Sequence, residues 1–256
     1  MTKSIKKDFS REIKKSISRF ISILLIVVLG VAFFSGIRSS MPAMQNTADA
    51  IYDKENFMDI RVAGTLGLTA NDLEAISEIE GVEEVEGAYT TDFLCLANSN
   101  EIVTKVIAMP NSINDVKVSQ GRYPEKYNEC VASREFLEIS GYKIGDYVTL
   151  STGTTDKVFD TLAAETYQIV GIGSTSYFLN GDMGTSTIGD GVVDGYLVIP
   201  QEAYVADIYT SIHITVTGAR ELNSYSKEYT DLVDSVIQKI KLIADKRCDI
   251  RYSEVR

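Results

Sequence analysis

Few residues of this chain are suited to catalysis, and its single histidine is the first candidate. A serine–histidine–aspartate triad would have to use His213, yet no G-x-S-x-G turn is present and the nearest stretch, residues 171–175, has the wrong spacing. His213 alternates with Ile212 and Ile214, which places it on the polar face of a strand. We therefore interpret it as a surface or packed residue, and we expect no enzymatic activity from this chain.

Cysteine spacing argues against a metal or redox centre. Cys95, Cys130 and Cys248 are far apart and odd in number, which excludes a C-x-x-C motif. Two of them could form a disulfide outside the cell, leaving one free. Because Cys95 and Cys130 lie within apolar runs, we favour buried, reduced thiols.

A glycine-rich segment, residues 181–195, contains three aspartates, Asp182, Asp190 and Asp194. Carboxylate oxygens suit Ca²⁺, but this spacing fits no EF-hand loop, and solvated acids are far commoner in loops. We expect neither a metal nor another cofactor. We interpret the segment as a polar, flexible tip that contacts a partner, because exposed loops on a rigid scaffold often carry binding.

A long apolar segment, residues 20–37, precedes all of these residues. It has no charged residue over its whole length, and as a helix it reaches about 27 Å, close to the hydrocarbon thickness of a bilayer. A cleaved signal peptide is one alternative, but the run is long for it and no A-x-A cleavage site follows. A buried core helix is another, but the run has no polar face. We interpret residues 20–37 as an uncleaved transmembrane helix.

Charge is distributed unevenly about this segment. Residues 1–19 contain seven basic and two acidic side chains, or +5, and the remainder carries −16, which together give the net charge of −11. By the positive-inside rule, residues 1–19 stay in the cytoplasm and the acidic part lies outside the plasma membrane. The acidity also argues against nucleic acid as a partner, because phosphates bind to basic faces.

The basic head has an apolar stripe with a four-residue repeat. Its members are Ile5, Phe9, Ile13 and Ile17. Lysines and arginines occupy the other positions, which is typical of an amphipathic helix that lies in the membrane interface and contacts lipid. The alternative is a disordered basic tail that only sets the topology. In the apolar segment, Ala32 and Gly36 form a small-xxx-small pair that predicts close packing against a neighbouring helix.

The residues after the apolar segment predict an α+β fold built from two interleaved parts. Residues 38–57 favour a stalk helix. A β-α-β-β pattern at residues 58–115 and a β-α-β pattern at 201–256 predict one split sheet covered by two helices. Residues 116–200 alternate short apolar runs with glycine turns, which predicts an inserted β-rich subdomain.

Local signals define three elements more closely. Thr69-Ala-Asn-Asp72 is a capping box that starts a helix ending before Gly81. Arg134–Ser140 is expected to be a helix because Ser133 can cap its start and Gly141 its end. A run around Cys248–Tyr252 is expected to be the last strand.

Short motifs spread over nearly the whole chain add a family resemblance. They are Lys7-Asp-Phe-Ser-Arg-Glu-Ile-Lys-Lys15, Met58-Asp-Ile-Arg-Val62, Gly67-Leu-Thr-Ala-Asn-Asp72, Gly121-Arg-Tyr-Pro124, Asn128-Glu-Cys-Val-Ala-Ser133, Gly141-Tyr-Lys-Ile-Gly-Asp146 and Tyr167-Gln-Ile-Val-Gly171. In combination they resemble the permease subunits of MacB/FtsX-type, or type VII, ABC transporters. The resemblance implies a MacB-like extracytoplasmic core domain at residues 58–256, in which a porter-like α/β part is interrupted by a β-rich insert.

The resemblance also implies a function and partners. Because the chain lacks a P-loop, ATP hydrolysis is expected on a separate cytoplasmic ATPase chain. The chain is then the N-terminal part of a permease in a dimeric assembly, whose outer domain transmits ATP-driven motion for export, extraction or signalling to a ligand or cargo not identified by the sequence. The alternative is a single-pass anchored binding or sensor protein. An anchored hydrolase is a third reading, which the scarcity of histidine disfavours.

Overall fold

The computed structural model describes residues 7–9, 11, 17–97, 100–178, 181 and 183–255. They belong to two compact units, Met1–Ala48 and Asp49–Arg256. Helix α1, Ile17–Lys54, supplies most of the first unit and its last residues enter the second. Within the described part of the chain, α1 is the one helix long and apolar enough to cross a membrane, and its most apolar window has a mean hydropathy of 2.8.

Helix α1 is continuous where the sequence placed the boundary between a transmembrane helix at 20–37 and a stalk helix at 38–57. It continues past Pro42 and ends at Lys54. Asn56 follows with a left-handed φ of 47°, a conformation that ends helices and that asparagine tolerates better than most residues.

The second unit contains ten strands and three longer helices among the described residues. The strands are β1 (Ile60–Leu68), β2 (Val82–Ala88), β3 (Thr90–Ala97), β4 (Asn100–Ala108), β5 (Val116–Gly121), β6 (Glu129–Ala132), β7 (Tyr147–Ser151), β8 (Thr166–Thr175), β9 (Gly195–Ile199) and β10 (Tyr209–Val216). The helices are α2 (Ala70–Ser77), α3 (Arg134–Ser140) and α4 (Lys227–Val255). The predicted α+β class is confirmed.

A small antiparallel sheet has the strand order β1-β10-β2. Alternate residues of β10, such as Ile212 and Ile214, are fully buried against α2 and α4. From the helices, Ile76 and Val236 fill the same core. This arrangement follows from the period-2 pattern of the strand and the 3.6-residue pattern of the helices.

The larger sheet has seven strands in the order β5-β8-β6-β9-β4-β3-β7. Because β7 also pairs with β8, six of these strands form a closed ring. Alternate residues of the ring strands, including Phe93, Cys95 and Ile169, form one buried cluster. The intervening residues, including Leu94 and Val103, form a second cluster. Both faces of the larger sheet are therefore apolar over part of its area.

The sheet pairing differs from the sequence-based division in one place. The β3–β4 hairpin, residues 90–108, joins the larger sheet through the pairs of β4 with β9. The sequence had grouped these residues with the porter-like part, at 58–115, because their strand pattern does not specify which sheet they join. Pairing between distant strands depends on long-range contacts that a local pattern does not contain.

One expectation about a local element is wrong. The run at 248–252 is not a strand, because α4 continues to Val255. The glycine-rich segment is exposed at most described positions of 181–191 and is anchored by a few residues: Met183 and Val193 are buried in the second apolar cluster, and the Asp194 carboxylate accepts a hydrogen bond from the Val103 N–H at 2.9 Å. Its polar composition hid these few apolar anchors. Asp182 lies outside the described residues.

Candidate functional site

A loop between β4 and β5, residues 109–115, contacts the small sheet and is here named the junction loop. It is held by Glu86, whose side chain is buried on β2. The Glu86 carboxylate accepts backbone N–H hydrogen bonds from Asn111 at 2.6 Å, Ser112 at 3.1 Å and Ile113 at 2.9 Å. A buried carboxylate is tolerated when hydrogen-bond donors replace its water, so Glu86 and the loop stabilise each other.

Asn114 is the second anchor of the junction loop. It has a left-handed φ of 66°, and its side-chain oxygen accepts a hydrogen bond from the Met58 N–H at 3.0 Å. Its amide nitrogen lies 2.9 Å from Nδ1 of His213. Since the amide nitrogen can only donate, Nδ1 of His213 accepts, and Nε2–H donates to the Ser211 hydroxyl oxygen at 3.1 Å. The histidine is thereby fixed as one neutral tautomer.

His213 therefore has a structural environment. Burial, with a smaller contribution from the nearby Arg61 guanidinium, lowers the pKa of His213 to about 4. Ser211 is fully buried, so its hydroxyl group has no access to a substrate. The face of β10 that was predicted to be polar is covered by the junction loop and by Tyr177, whose ring centroid is 5.7 Å from that of His213. His213 was interpreted as a surface residue or a packed residue, and the structure shows that it is packed.

The residues that directly follow α1 bond to the same loop. The carbonyl oxygen of Asn56 accepts from the Asn114 N–H at 2.8 Å, and that of Glu55 accepts from the Asp115 N–H at 2.9 Å. The Asn56 side-chain amide donates to the Ser112 carbonyl oxygen at 2.6 Å. These three hydrogen bonds join the chain after α1 to the junction loop that precedes β5.

The last turns of α1 also bond to the loop that precedes α4. The Asp49 carboxylate accepts from the Ser224 N–H at 2.7 Å, from the Ser224 hydroxyl at 2.8 Å and from the Asn223 side-chain amide at 3.0 Å. Ten residues later, the Asp59 carboxylate accepts from the Tyr229 hydroxyl at 2.7 Å and from the Val216 N–H at 2.7 Å. Burial is the main reason that the pKa of Asp59 is raised. Residues 49–59 therefore contact the small sheet, α4 and the junction loop.

A cavity of about 370 Å³ opens beside these contacts. Its acidic lining residues are Asp53, Asp59, Glu83 and Glu84. Arg220 is the cation in the lining, and its guanidinium donates to the side-chain oxygen of Asn56. Burial, followed by the charge of Asp49, raises the pKa of Asp53, so the cavity is a site of unfavourable negative charge.

The residues proposed from sequence for the membrane region have few contacts in the structure. Ile5 and Ile13 lie outside the described residues. Phe9 is 66% exposed and Ile17 is 51% exposed. Ala32 and Gly36 lie on α1, which has no buried residue along its length. The interfacial and helix-packing roles of these residues therefore stay predictions.

The structure agrees with the expectation of buried, reduced thiols, which was made for Cys95 and Cys130. Cys95 and Cys130 are buried and free, and Cys248 is exposed and free. Burial raises the pKa of Cys95 to about 11 and raises that of Cys130 as well. A thiol with a raised pKa has little thiolate at neutral pH, so these two cysteines are poor nucleophiles.

Comparison with known proteins identifies the family. The family model for the MacB-like periplasmic core domain matches residues 20–232, which is most of the chain. The chain belongs to this family. In this MacB-like chain, α1 supplies a candidate membrane span ahead of a periplasmic-type domain. No curated protein matches the sequence.

Two solved structures are similar to this MacB-like chain at low identity. The extracellular domain of the noncanonic ABC-type transporter YknZ from Gram-positive bacteria is 12% identical, with 67% of this chain and 85% of that chain covered and a TM-score of 0.39. The periplasmic region of MacB from Actinobacillus actinomycetemcomitans is also 12% identical, with 68% and 75% covered and a TM-score of 0.38. The family assignment depends on the sequence match and not on these two likenesses.

Sequence reasoning missed the residues that build the junction of this MacB-like domain. Glu86, Asn114 and Asp49 belong to no motif, and their neighbours in the sequence do not distinguish them from solvated polar residues. Glu86 follows Glu83 and Glu84, so a solvated acidic strand edge was the natural interpretation. The one usable signal was the alternation in β2, which places Glu86 on the face opposite Val85.

Proposed function

We propose that this chain is the N-terminal part of a MacB-like ABC transporter permease and that its outer domain relays motion driven by a separate cytoplasmic ATPase. In this proposal residues 1–19 are cytoplasmic, residues 20–37 span the plasma membrane, and the acidic part is extracytoplasmic. The observation that carries the proposal is the set of hydrogen bonds made by residues 49–59. They bond the end of α1 to α4, to the small sheet and to the junction loop of the larger sheet.

The contacts of Asp49 and Asp59 are suited to force transmission because they are short, involve a carboxylate and are partly buried. Charge-assisted hydrogen bonds are stronger and more directional than apolar contacts. A displacement of the last turns of α1 would reach α4 through Asp49 and the larger sheet through Asn56 and the junction loop. Two connections from one helix end would carry that displacement to both sheets.

The first test is the ATPase partner. The full-length permease would be co-purified with the ATPase encoded beside it, and a stable complex is expected. Absence of a complex under conditions that keep both proteins folded would contradict the proposal. Protease treatment of intact cells gives an independent readout, because an extracytoplasmic domain is expected to be digested while residues 1–19 stay protected.

The second test separates coupling from assembly. Asp49→Asn removes the charge that binds the loop preceding α4, so we expect the ATPase complex to form but substrate- or ligand-dependent ATP hydrolysis to fall. Asp231→Asn is the matched control, because in the described part of the chain Asp231 pairs with the exposed Lys227 at 3.7 Å. Equal ATPase activities in the two variants would argue against transmission through Asp49.

Membrane packing and dimerisation form a separate part of the proposal. Ala32 and Gly36 would seat a neighbouring helix, while Ile5, Phe9, Ile13 and Ile17 would lie in the lipid interface. Gly36→Leu is expected to reduce crosslinking between permease copies, with Gly30→Leu on the same helix as the control. Unchanged crosslinking in Gly36→Leu would contradict the proposed packing role of Gly36.

A single-span binding or sensor protein is the second candidate function, and the acidic cavity beside residues 53–59 favours it. This candidate needs no ATPase. It predicts a folded, membrane-anchored chain that purifies without an ATPase and whose thermal stability responds to a cationic ligand. The co-purification experiment therefore decides between the two candidates.

A further inference from the structure

A second cavity, of about 420 Å³, is lined by residues from both sheets of the outer domain. Met58 and Arg61 line it from the start of the small sheet, and Lys105 lines it from β4 of the larger sheet. Tyr177 and Phe178, which directly follow β8, complete this part of the wall. A concave site of this volume, formed where two parts of a domain meet, is typical of a small-ligand site.

The charge of this cavity is opposite to that of the rest of the outer domain. Its lining contains Arg61 and Lys105 and, in the described part of the chain, no aspartate or glutamate. Lys105 is already matched, because its Nζ lies 2.5 Å from the Asp92 carboxylate and both side chains are mostly buried. Arg61 has no such carboxylate among the described residues. The cavity therefore has one unmatched positive charge, although residues 20–256 have a net charge of −16.

Arg61 is held in place by an aromatic ring. Its guanidinium carbon lies 5.9 Å from the centroid of the Tyr177 ring. Tyr177 is itself fixed between Phe178, at 4.8 Å in an edge-on contact, and His213, at 5.7 Å. A cation–π contact positions the guanidinium without using its N–H groups. The planar fork of donors, which matches a carboxylate at two points, thus stays available to a ligand.

The other side of the cavity is apolar. Phe178 and Met183 line it and are buried, with 9% and 8% of their surfaces exposed. Met58 adds a second thioether. Methionine side chains adapt to apolar and aromatic ligands because they are unbranched and polarisable. The lining therefore combines one available cation with an apolar surface.

The same walls belong to the junction described above. The Met58 N–H donates to the side-chain oxygen of Asn114 at 3.0 Å, and Tyr177 packs against His213. A molecule in the cavity would therefore contact the small sheet on one side and the larger sheet on the other, directly beside the junction loop.

We propose that this cavity binds a monoanionic ligand, a carboxylate that carries an apolar group. The carboxylate accepts two N–H hydrogen bonds from Arg61, and the apolar group packs against Phe178 and Met183. One negative charge balances Arg61, whereas a phosphate dianion would add unmatched negative charge to an acidic domain. This inference does not depend on the proposed transport function, because it needs no ATPase.

Methyl NMR of the full chain in phosphatidylcholine nanodiscs tests the site, with 3-phenylpropionate as the probe. With ¹³C-methyl methionine, Met58 and Met183 report on the cavity, while Met41, Met44 and Met109 lie outside its lining. We expect the phenyl group to shift the Met58 and Met183 signals saturably and to leave the other three in place. Its neutral amide, 3-phenylpropanamide, should shift them much less. Equal shifts with the amide, or shifts confined to Met41 and Met44 in the membrane helix, would overturn the proposal.

Arg61→Gln removes the positive charge at an exposed position, and we expect it to weaken 3-phenylpropionate binding about tenfold or more. Arg61→Lys keeps the charge without the two-point geometry and should be intermediate. Arg134→Gln is the matched control, because Arg134 is an exposed arginine outside the cavity lining. Equal affinity in the parent and in Arg61→Gln would overturn the proposal. If Arg61→Gln does not fold, the comparison of acid and amide on the parent chain still decides.

Two further probes define the ligand class. Inorganic phosphate is expected to displace 3-phenylpropionate no better than acetate does, and displacement at a lower concentration would contradict the monocarboxylate assignment. The peptide acetyl-Ala-Ala-Phe with a free carboxyl group tests the source of the carboxylate. Tighter binding than that of 3-phenylpropionate would support the C-terminus of a peptide as the ligand, and weaker binding would support a small free carboxylate.

Discussion

The two sheets of the outer domain are stabilised in different ways. The larger sheet closes into a ring and is apolar on both faces over part of its area, with Phe93 on one face and Val103 on the other. The small sheet is apolar on one face only. Its other face carries Ser211 and His213, which are buried beneath the junction loop. Apolar packing thus fixes both faces of the larger sheet, whereas the small sheet is packed on one face against α2 and α4 and is held on its other face by hydrogen bonds and one buried carboxylate.

This difference indicates which part of the domain is expected to move. Apolar packing resists displacement in every direction, and a closed ring has few strand edges to slip. A hydrogen-bonded junction has discrete arrangements that charge, protonation or a partner can shift. We expect the larger sheet to behave as one rigid body and movement to concentrate at residues 49–59 and the junction loop.

The largest expected effect is on the ring. Phe93 lies in this ring of strands, and its side chain is 1% exposed. Phe93→Ala removes the phenyl group, so we expect the free energy of unfolding to fall by about 3–5 kcal/mol. Leu96→Ala on the same strand is the control, because Leu96 is 67% exposed and should change stability little. Urea denaturation in detergent measures both. Similar losses for the two variants would mean that the ring is not the rigid part.

The pH dependence of stability tests the junction. Because the folded pKa of His213 is about 4 and its ordinary value is 6.5, the unfolded chain binds the proton more tightly. The stabilisation is therefore fully present above pH 6.5 and is lost as the pH falls towards 4, with an amplitude of about 3 kcal/mol. Denaturation curves for the parent and for His213→Gln should differ in slope over this range. Parallel slopes would contradict the buried neutral histidine.

Removal of the buried carboxylate has a somewhat smaller expected effect. Glu86→Ala leaves three backbone N–H groups without their acceptor, which we expect to cost about 2–3 kcal/mol and to speed amide exchange at residues 111–113. Glu74→Ala is the control, because Glu74 is exposed on α2. Unchanged exchange in the junction loop of Glu86→Ala would show that other contacts hold the loop.

The smallest expected effect concerns an ion pair of the larger sheet. Arg122 binds Glu129 through two N–H groups, at 2.7 and 2.8 Å, while its own side chain is 45% exposed. Arg122→Lys keeps the charge but loses the two-point geometry, so we expect only a small loss of stability for this solvent-screened pair. Thermal unfolding of this variant beside Arg134→Lys, whose arginine is exposed, measures it. A loss as large as that of Glu86→Ala would show that charge also fixes the larger sheet.

Local elements of the fold could be predicted well because their causes are local. The Ser133 hydroxyl oxygen accepts from the Phe136 N–H at 3.1 Å, and Gly141 has a φ of 76°, so α3 has the predicted ends. The start of α2 is also as predicted, with the Asp72 carboxylate accepting from the Thr69 N–H at 2.7 Å.

The junction could not be predicted because its partners are far apart in the chain. Glu86 meets residues 111–113, and Asn114 meets His213, through contacts that depend on the completed sheets. The same holds for the closure of β7 onto β8. At residues 248–252 the local pattern predicted a strand, whereas the structure has the last turns of α4 there.

The arrangement of Ser211, His213 and Asn114 has a practical consequence for functional screening. A search by side-chain geometry alone would report a hydroxyl, an imidazole and an orienting amide in hydrogen-bonded order. Since the hydroxyl is sealed from solvent, a fluorophosphonate label should leave the folded chain unmodified and react, if at all, only after denaturation.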